Sequence, residues 1–391
     1  MEYLTGKTEK KTLGIQDILA GEYEGKEVTV NGAVHKIRDM GDVAFVVLRK
    51  SEGLLQTVYE DGVTDISLKE LQEEDTVCVT GVVAKEERAK FRIQEGIIRG
   101  FRDFLHEQGF TEIHSPKIGA RGAEGGANLF RLEYFHKHAV LAQSPQFYKQ
   151  MMVGVFDRVF EAAPVFRAEK HNTKRHLNEY TSLDFEMGYI DSFEDIMEME
   201  TGFLQYTMEL LQKEYKKELD LLKVTLPKVD KIPQVRFDKA KELVAEKYNR
   251  TIRNPFDLEP EEEALIGQYF KEEMDADFVF VTHYPSKKRP FYAMDDPEDT
   301  TYTLSFDLLF HGLEITTGGQ RIHDYQTLVD KIADRGMTQE GMEQYMMIFK
   351  HGMPPHGGLG IGMERLTMKL LGEENVRETT LFPRDLNRLE P

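Results

Sequence analysis

The sequence predicts an α+β fold, with a mixed or antiparallel sheet carrying helices and a small all-β domain in front of it. Apolar residues between 26 and 83 alternate in short runs broken by glycines, and from Lys90 their period lengthens to that of a helix. Strand-like and helix-like stretches then follow one another without the strict alternation that builds a doubly wound parallel sheet.

Glu27–Val34, Val43–Leu48, Leu54–Glu60 and Thr76–Val83 read as strands, with Gly41, Gly53 and Gly62 at the breaks and a short helix over Ile66–Leu71. This pattern suits an all-β barrel of the oligonucleotide-binding kind, an OB-fold-like domain. Phe91, Ile93, Ile97, Ile98, Phe101, Phe104 and Leu105 then recur at helical spacing until Gly109. Phe110–Pro116 reads as a strand closed by proline, and further strands are expected at Ala139–Leu141, Arg158–Ala162 and Thr181–Ile190. Ser192, with Asp195 three residues on, is expected to open a long helix whose Ile196, Met199, Phe203, Leu204, Met208 and Leu211 pack the core. Residues 217–295 are mixed and polar and read as an insertion. Ser305–Thr316 and Leu359–Met363 supply the last strands, and Leu366–Leu371 lies on a closing helix. The expected domains are 1–89 and 90–391.

At 391 residues and 40% apolar, the chain can hold two domains, or three, with packed cores. No stretch approaches the roughly 20 apolar residues of a membrane span. The first residues carry no apolar leader segment, so a cytoplasmic protein with no membrane partner is expected. Cys78 is the lone cysteine, which excludes an internal disulfide framework, and it reads as a small core residue. The net charge of −19 argues only weakly against nucleic acid, because local patches decide binding. Acids gather at Glu259–Glu263 and Asp295–Asp299, which read as solvated, and basic residues at Lys7–Lys11, Lys85–Lys90 and Lys170–Arg175.

Two runs carry the chemistry. Gly357-Gly358-Leu359-Gly360-Ile361-Gly362 lets a backbone approach a flat ligand, and Met363-Glu364-Arg365 then offers a guanidinium that can stack on a ring and pair with phosphate. Phe166-Arg167-Ala168-Glu169 and Arg175-His176-Leu177-Asn178-Glu179-Tyr180 add two arginines and an acid on a strand–loop–strand pattern. Glu314 and Thr317 offer a carboxylate and a hydroxyl suited to magnesium. Together they describe a nucleoside triphosphate site without a Walker lysine loop. His171 and His176 have no third ligand at helpful spacing, so chelation there is not expected.

The Arg167 and Arg175 runs resemble motif 2 of the class II aminoacyl-tRNA synthetases, and Gly360–Leu366 resembles motif 3. The helix from Phe91 with the strand ending at Pro116 resembles motif 1, which builds the dimer interface in that class. Gln143-Ser144-Pro145-Gln146-Phe147-Tyr148-Lys149, Met353-Pro354-Pro355-His356-Gly357-Gly358 and Phe382-Pro383-Arg384-Asp385 resemble the aspartyl-tRNA synthetases of archaeal type, in subclass IIb. The likeness spans essentially the whole chain. It implies a homodimeric ligase that joins L-aspartate and ATP, with Mg2+, into aspartyl-adenylate. The aspartate then passes to the 3′ end of tRNA-Asp, with tRNA-Asn an open second substrate and no DNA partner.

The resemblance also implies roles. Arg167 would bridge the α-phosphate and the amino acid's α-carboxylate, Glu169 would read the adenine amino group, and Arg175 and His176 would hold the outer phosphates. Arg365 would stack on adenine opposite Tyr180, making Arg167 and Arg365 the catalytic pair, with Leu177, Gly362 and Glu364 completing the ATP site. Glu314 and Thr317 would hold magnesium, Thr317 also facing the amino acid. Glu124, in the loop Glu124-Gly125-Gly126, and Gln146 would bind the ammonium; Lys149 and Arg321 would pair with the side-chain carboxylate, oriented by Asp184. In the first domain His35, Arg38, Phe45 and Gln56 match anticodon-reading positions, and histidine at 35 leans towards enzymes that charge both tRNAs.

The chain departs from the family between Ala89 and Lys90, where members carry a fifth barrel strand, a linker and the start of motif 1; this segment is missing from the sequence here, which leaves open whether the protein truly lacks it. Three rivals are an ammonia-dependent asparagine synthetase on the same catalytic fold, a non-catalytic RNA-binding paralogue, and asparaginyl specificity. The N-terminal barrel, the intact arginines, and Asp385 with the Met353–His356 run weigh against them in turn.

Overall fold

A computed structural model describes residues 12–19, 23, 25–39, 44–60, 62–83, 86–124, 128–170 and 173–390. The basic run at 7–11, Gly41, Lys85, Gly125, Gly126 and His171 therefore lie outside the described residues. The chain divides into two compact units, residues 1–86 and 87–391.

In the first unit a short helix α1 (Ile15–Leu19) precedes four antiparallel strands: β1 (Glu27–Asp39), β2 (Ala44–Lys50), β3 (Gly53–Tyr59) and β4 (Thr76–Val82). Alternation along β2 sends Ala44, Val46 and Leu48 to one face, where they join Ile15, Ile18, Val30, Val34 and Tyr59. The short helix expected at 66–71 is a single 3-10 turn, Leu68–Glu70. Among the described residues the strands make an open sheet in the order β3-β2-β1-β4, with β3 and β4 as its edges. Cys78 is a correction. It is exposed, because Val77 and Val79 take the inner side of β4 and parity sends the thiol outward.

The second unit opens on α2 (Glu86–Glu107), which carries the helical period seen in the sequence. There follow β5 (Thr111–Glu112), β6 (Ile118–Gly119), β7 (Arg131–Tyr134), β8 (Lys137–Leu141), α3 (Gln146–Phe156), β9 (Arg158–Phe166) and β10 (Glu179–Gly188). Next come α4 (Glu194–Glu214), α5 (Lys216–Leu222), β11 (Gln234–Arg236), α6 (Phe237–Lys247), α7 (Pro260–Met274) and β12 (Phe278–Thr282). The last elements are β13 (Ser305–Phe310), β14 (Leu313–Gln320), α8 (Tyr325–Asp334), α9 (Glu343–Lys350), β15 (His356–Gly362) and α10 (Met363–Leu371). Eight strands form the main sheet in the order β11-β12-β13-β14-β15-β10-β9-β5, antiparallel except for the two outermost pairs, and β6-β8-β7 form a small second sheet. Ile97 and Phe101 of α2 and Phe203 and Leu211 of α4 pack with Leu183, Phe185, Leu359 and Ile361 of the sheet. Each such side chain contributes about 1.5–3 kcal/mol by leaving water. The opposite face of the central strands is free to build a site.

Four further expectations are corrected. The strand expected over Phe110–Pro116 pairs only at Thr111–Glu112 and one more rung, because the Ser115 N–H turns to the Glu161 carboxylate at 2.7 Å. Helix α4 starts at Glu194, not Ser192, although Asp195 does act as the expected capping partner, its carboxylate taking the N–H groups of Ser192 and Asp191. The polar stretch 217–295 contributes β11 and β12 to the main sheet, and every residue of β12 is buried. The acids at its centre are not all solvated: Glu262 and Glu263 are buried, Glu262 against the Lys241 ammonium, as is Asp296 in the second acidic run.

Candidate active site

Strand parity aims the site. On β10, Leu183, Phe185 and Met187 enter the core, so Tyr180, Ser182, Asp184 and Glu186 share the opposite face. Asp184 stands opposite Gly360 of β15, which in turn stands opposite Thr317 of β14, making one row across three strands. A Cβ at Gly360 would come within 3.0 Å of the Asp184 Oδ1, so glycine keeps this row open. The result is a cavity of about 340 Å³, lined by every residue that the sequence proposed for the ATP, amino-acid and metal sites.

At one end α3 turns Gln146 and Lys149 inward. Lys149 is 2% exposed and donates to the Asp184 Oδ1 at 2.9 Å and to the Leu359 carbonyl at 2.7 Å. Arg321 donates to Glu186 at 2.9 Å and to the Gly358 carbonyl at 2.8 Å. One pairing is thus corrected: Asp184 orients Lys149, whereas Arg321 is held by Glu186. Burial would raise the Glu186 carboxyl, but Arg321 and Lys149 outweigh it and hold it below the usual range. Glu124 accepts from the Ser144 and Tyr292 hydroxyls on the same side. The amide nitrogen of Gln146 and the Oδ2 of Asp184 are buried without a partner, and such orphans in a cavity mark places for ligand atoms.

At the other end Arg167 leaves β9 with its guanidinium 5.8 Å from the centre of the Tyr180 ring. Asn178 closes the base of this loop by donating to the Arg167 and Glu169 carbonyls at 2.8 and 3.0 Å. His176 faces Glu169 at 3.6 Å, and burial together with the Arg365 charge lowers its pKa below the usual histidine value. Leu177 packs with Leu313, Met368 and Val376, fixing the loop on α10. Gly362 caps α10, from which Arg365 donates to the Arg175 and Glu314 carbonyls at 3.1 and 3.0 Å. Glu364 accepts the Thr181 N–H, and burial pushes its carboxyl up to about 7.

Thr317 donates to Glu314 at 3.1 Å, and Asp307 lies opposite Thr317 in the β13–β14 register. Burial works to raise the Glu314 carboxyl, but Arg365 and Arg289 hold it below its usual range. Among the described residues no three His, Cys, Asp or Glu side chains form a ready metal cage. Asp307 is held by the Arg289 guanidinium at 2.7 Å and does not line the cavity, so Glu314 and Thr317 are the pair that fits magnesium, a cation that keeps several waters and takes substrate phosphate oxygens as further ligands.

The model of the tRNA synthetases class II (D, K and N) matches residues 76–386. The chain belongs to this family. An OB-fold nucleic acid binding domain matches residues 28–95 of the same class II synthetase. It is 44% identical over 422 positions to the aspartate–tRNA(Asp/Asn) ligase of Deinococcus radiodurans, covering 95% of this chain and 97% of that protein. It is 42% identical to the enzyme of the same name from Thermus thermophilus, over 96% of this chain and 99% of the other. It is 36% identical to the aspartate–tRNA(Asp) ligase of Pyrococcus furiosus, over 95% and 97%. The 422 matched positions exceed the 391 residues of this chain, so that relative holds residues without a counterpart here. Among solved structures, an asparaginyl-tRNA synthetase from Pyrococcus horikoshii with asparaginyl-adenylate superposes with a TM-score of 0.74 at 28% identity, over 97% of this chain and 100% of the other.

In the OB-fold unit of this synthetase, Phe45 stands opposite Arg38 and Val58, on the face of β2 turned away from the core. Gln56 is exposed on the same face, one pleat along β3, and His35 sits at a bulge in β1 with its Nδ1 3.4 Å from Arg49. Sequence reasoning missed Glu186, Arg289, Tyr292 and Asp307. Glu186 had a usable signal, since it lies two residues from Asp184 on one strand. The others had none: Arg289 and Tyr292 reach the cavity from the irregular segment before β13, and Asp307 sits behind it, bound to Arg289.

Proposed function

We propose that this synthetase aspartylates tRNA. The observation that carries the reading is the pair Lys149 and Arg321, two buried cations side by side at one end of a cavity built for a nucleotide. A side-chain carboxylate offers acceptors to both. The amide of asparagine sets donors against donors and leaves a cation unmatched, which is where selectivity of this kind arises.

Arg167 takes the α-carboxylate of aspartate and the α-phosphate of ATP together, holding the attacking oxygen in line. Glu169 accepts the adenine amino group, Tyr180 and Arg365 sandwich the ring, and Arg175 with His176 receives the outer phosphates. Leu177, Gly362 and Glu364 shape that half of the pocket. Glu124 and Gln146 take the ammonium. Glu314 and Thr317 hold magnesium, whose charge, when bound, offsets that of the phosphates. The carboxylate oxygen bonds to the α-phosphorus as pyrophosphate leaves, and a tRNA 3′-terminal hydroxyl then takes the aspartyl group as AMP leaves. No protein nucleophile is required.

In the first unit Phe45 serves as a stacking platform for an anticodon base, flanked by Arg38 and Gln56. We extend the substrate range to tRNA-Asn as well as tRNA-Asp. His35 supports this, as do the names of the Deinococcus radiodurans and Thermus thermophilus relatives. The working form is a cytoplasmic homodimer joined through the α2 region. Side-by-side charging of tRNA-Asp and tRNA-Asn with aspartate, ATP and magnesium tests the proposal. Charging of both supports it in full, and charging of tRNA-Asp alone removes the wider range. No aspartate-dependent pyrophosphate exchange at all overturns it.

A further inference from the structure

The first turn of helix α7 carries the acidic run Glu261-Glu262-Glu263, of which Glu262 and Glu263 turn inward, Glu262 to Lys241 and Glu263 towards Arg175. The Oε2 of Glu263 takes two donors: the Arg175 Nη2 at 2.6 Å and the Glu314 N–H at 3.1 Å. One buried carboxylate thus joins the loop that carries Arg175 to the strand that carries Glu314, although it is not itself part of the cavity lining. The approach is fixed by backbone. A Cβ on Gly267, one turn beyond Glu263, would lie 2.4 Å from the Gly312 nitrogen, and one on Gly312 would lie 2.7 Å from the Ala264 Cα. Gly312 also has φ +70°, so two glycines let α7 rest directly on the β13–β14 turn. From there Glu263 reaches the first residues of β14.

Glu263 occupies one nitrogen of Arg175 and leaves another. The Arg175 Nε is buried and has no hydrogen-bond partner, while Arg175 lines the cavity. A long side chain gripped at one nitrogen, with a second donor unspent, is already oriented for an anion. We infer that Glu263 is a positioning residue of the triphosphate site: it holds Arg175 against the cavity so that the guanidinium meets the outer phosphates with its remaining donors. This rests on the reading that the pocket takes ATP. Glu263 touches neither ATP nor aspartate and acts through Arg175, tying the nucleotide half of the pocket to a segment whose average polarity hid it.

The test uses the full chain and the variants Glu263→Gln, Arg175→Ala and their combination. Glu263→Gln keeps the size and an acceptor but loses the charge. It is expected to raise the KM for ATP in aspartate-dependent pyrophosphate exchange about tenfold, the scale of one weakened charge-assisted hydrogen bond. The KM for aspartate should stay put, and calorimetric ATP binding should weaken in parallel. Combined with Arg175→Ala, Glu263→Gln should add no further loss, since its route of action is gone. Unchanged ATP affinity, an equal rise in both KM values, or full additivity with Arg175→Ala would each overturn the inference. If Glu263→Gln does not fold, Glu263→Asp is read in the same way, because it keeps the charge with a shorter reach. Wild-type exchange without any aspartate dependence would instead strike at the proposed reaction, while ATP calorimetry on the variants would still decide the role of Glu263.

Discussion

Arg321 meets Glu186 behind the cavity wall, guanidinium Nε to carboxylate at 2.9 Å, with both side chains almost wholly out of solvent. Lys149 stands 3.4 Å from the same carboxylate and 2.9 Å from Asp184. Two cations and two acids thus hold one another in a dry corner. Neither cation can swing away without uncovering a buried charge, so the corner is rigid before any substrate arrives.

Arg321→Leu should therefore lower aspartate activation roughly ten- to 150-fold while leaving ATP binding within about twofold, since losing a charge-assisted contact costs about 1.5–3 kcal/mol at the amino-acid end alone. Lys149 remains to face Glu186, so the fold should survive at a lower melting temperature. Pyrophosphate exchange against aspartate concentration and ATP calorimetry check both halves. Normal aspartate activation by the variant would show that the side-chain pocket lies elsewhere.

Phe45→Ala should weaken tRNA without touching the chemistry. Base–aromatic stacking is worth about 1–3 kcal/mol, so the KM for tRNA should rise roughly tenfold or more while aspartate-dependent exchange stays unchanged. Phe45 lies off the core face, so the melting temperature should move little. A large drop in stability with no change in the KM for tRNA would return Phe45 to a packing role.

What the sequence made legible, and what it hid, follows one physical line. Arg167, Glu169 and Arg365 were readable because their runs set arginine beside acid or glycine in local patterns, whereas Lys149 came only from the resemblance of its run to the family; all four reach one cavity. Glu186 sat in plain view by strand parity. Glu263 was hidden by composition: an acidic run at a helix start looks solvated, and nothing local says that Glu262 and Glu263 turn inward or that only Glu263 reaches Arg175. Its partner Arg175 lies 88 residues away, and Arg321 lies 135 from Glu186. Cys78 failed for the reverse reason, since alternation gives a strand two faces without saying which one is inside.

In the proposed magnesium site Thr317 would supply a hydroxyl, which here donates to Glu314 at 3.1 Å. Thr317→Ser should keep exchange activity within a few-fold, roughly, because the oxygen remains; Thr317→Val should raise the magnesium concentration needed for half-maximal exchange about tenfold. Glu314→Gln should do so more severely, and a chelator should stop exchange in the parent. The readout is a magnesium titration at fixed ATP. Equal magnesium dependence in the Val and Ser variants would remove the hydroxyl from the metal's surroundings.

Glu200 gives the chain a pH signature of its own. It is fully buried on α4 and accepts the Thr316 hydroxyl at 2.6 Å, next to the strand position of Thr317. Burial pushes its carboxyl up to about 8, Asp307 adding to the shift and the Thr316 hydrogen bond opposing it. A group raised on folding gives its full stabilisation below its unfolded value and loses it as pH climbs through the folded one. Stability from Glu200 is thus present below pH 4.5 and lost on the way to about 8. The loss is at most about 1.4 kcal/mol per pH unit within that window. Glu200→Gln keeps the shape and an acceptor for Thr316 but does not titrate. Thermal or urea unfolding between about pH 5 and pH 8 should show the variant gaining on the parent by on the order of 1 kcal/mol per unit. Asp307 is the neighbour whose own titration can bend this difference, and Asp307→Asn in both backgrounds separates the two. Parallel stability curves for parent and Glu200→Gln would mean that Glu200 is already ionised in the folded chain, with its charge answered by a partner other than Thr316.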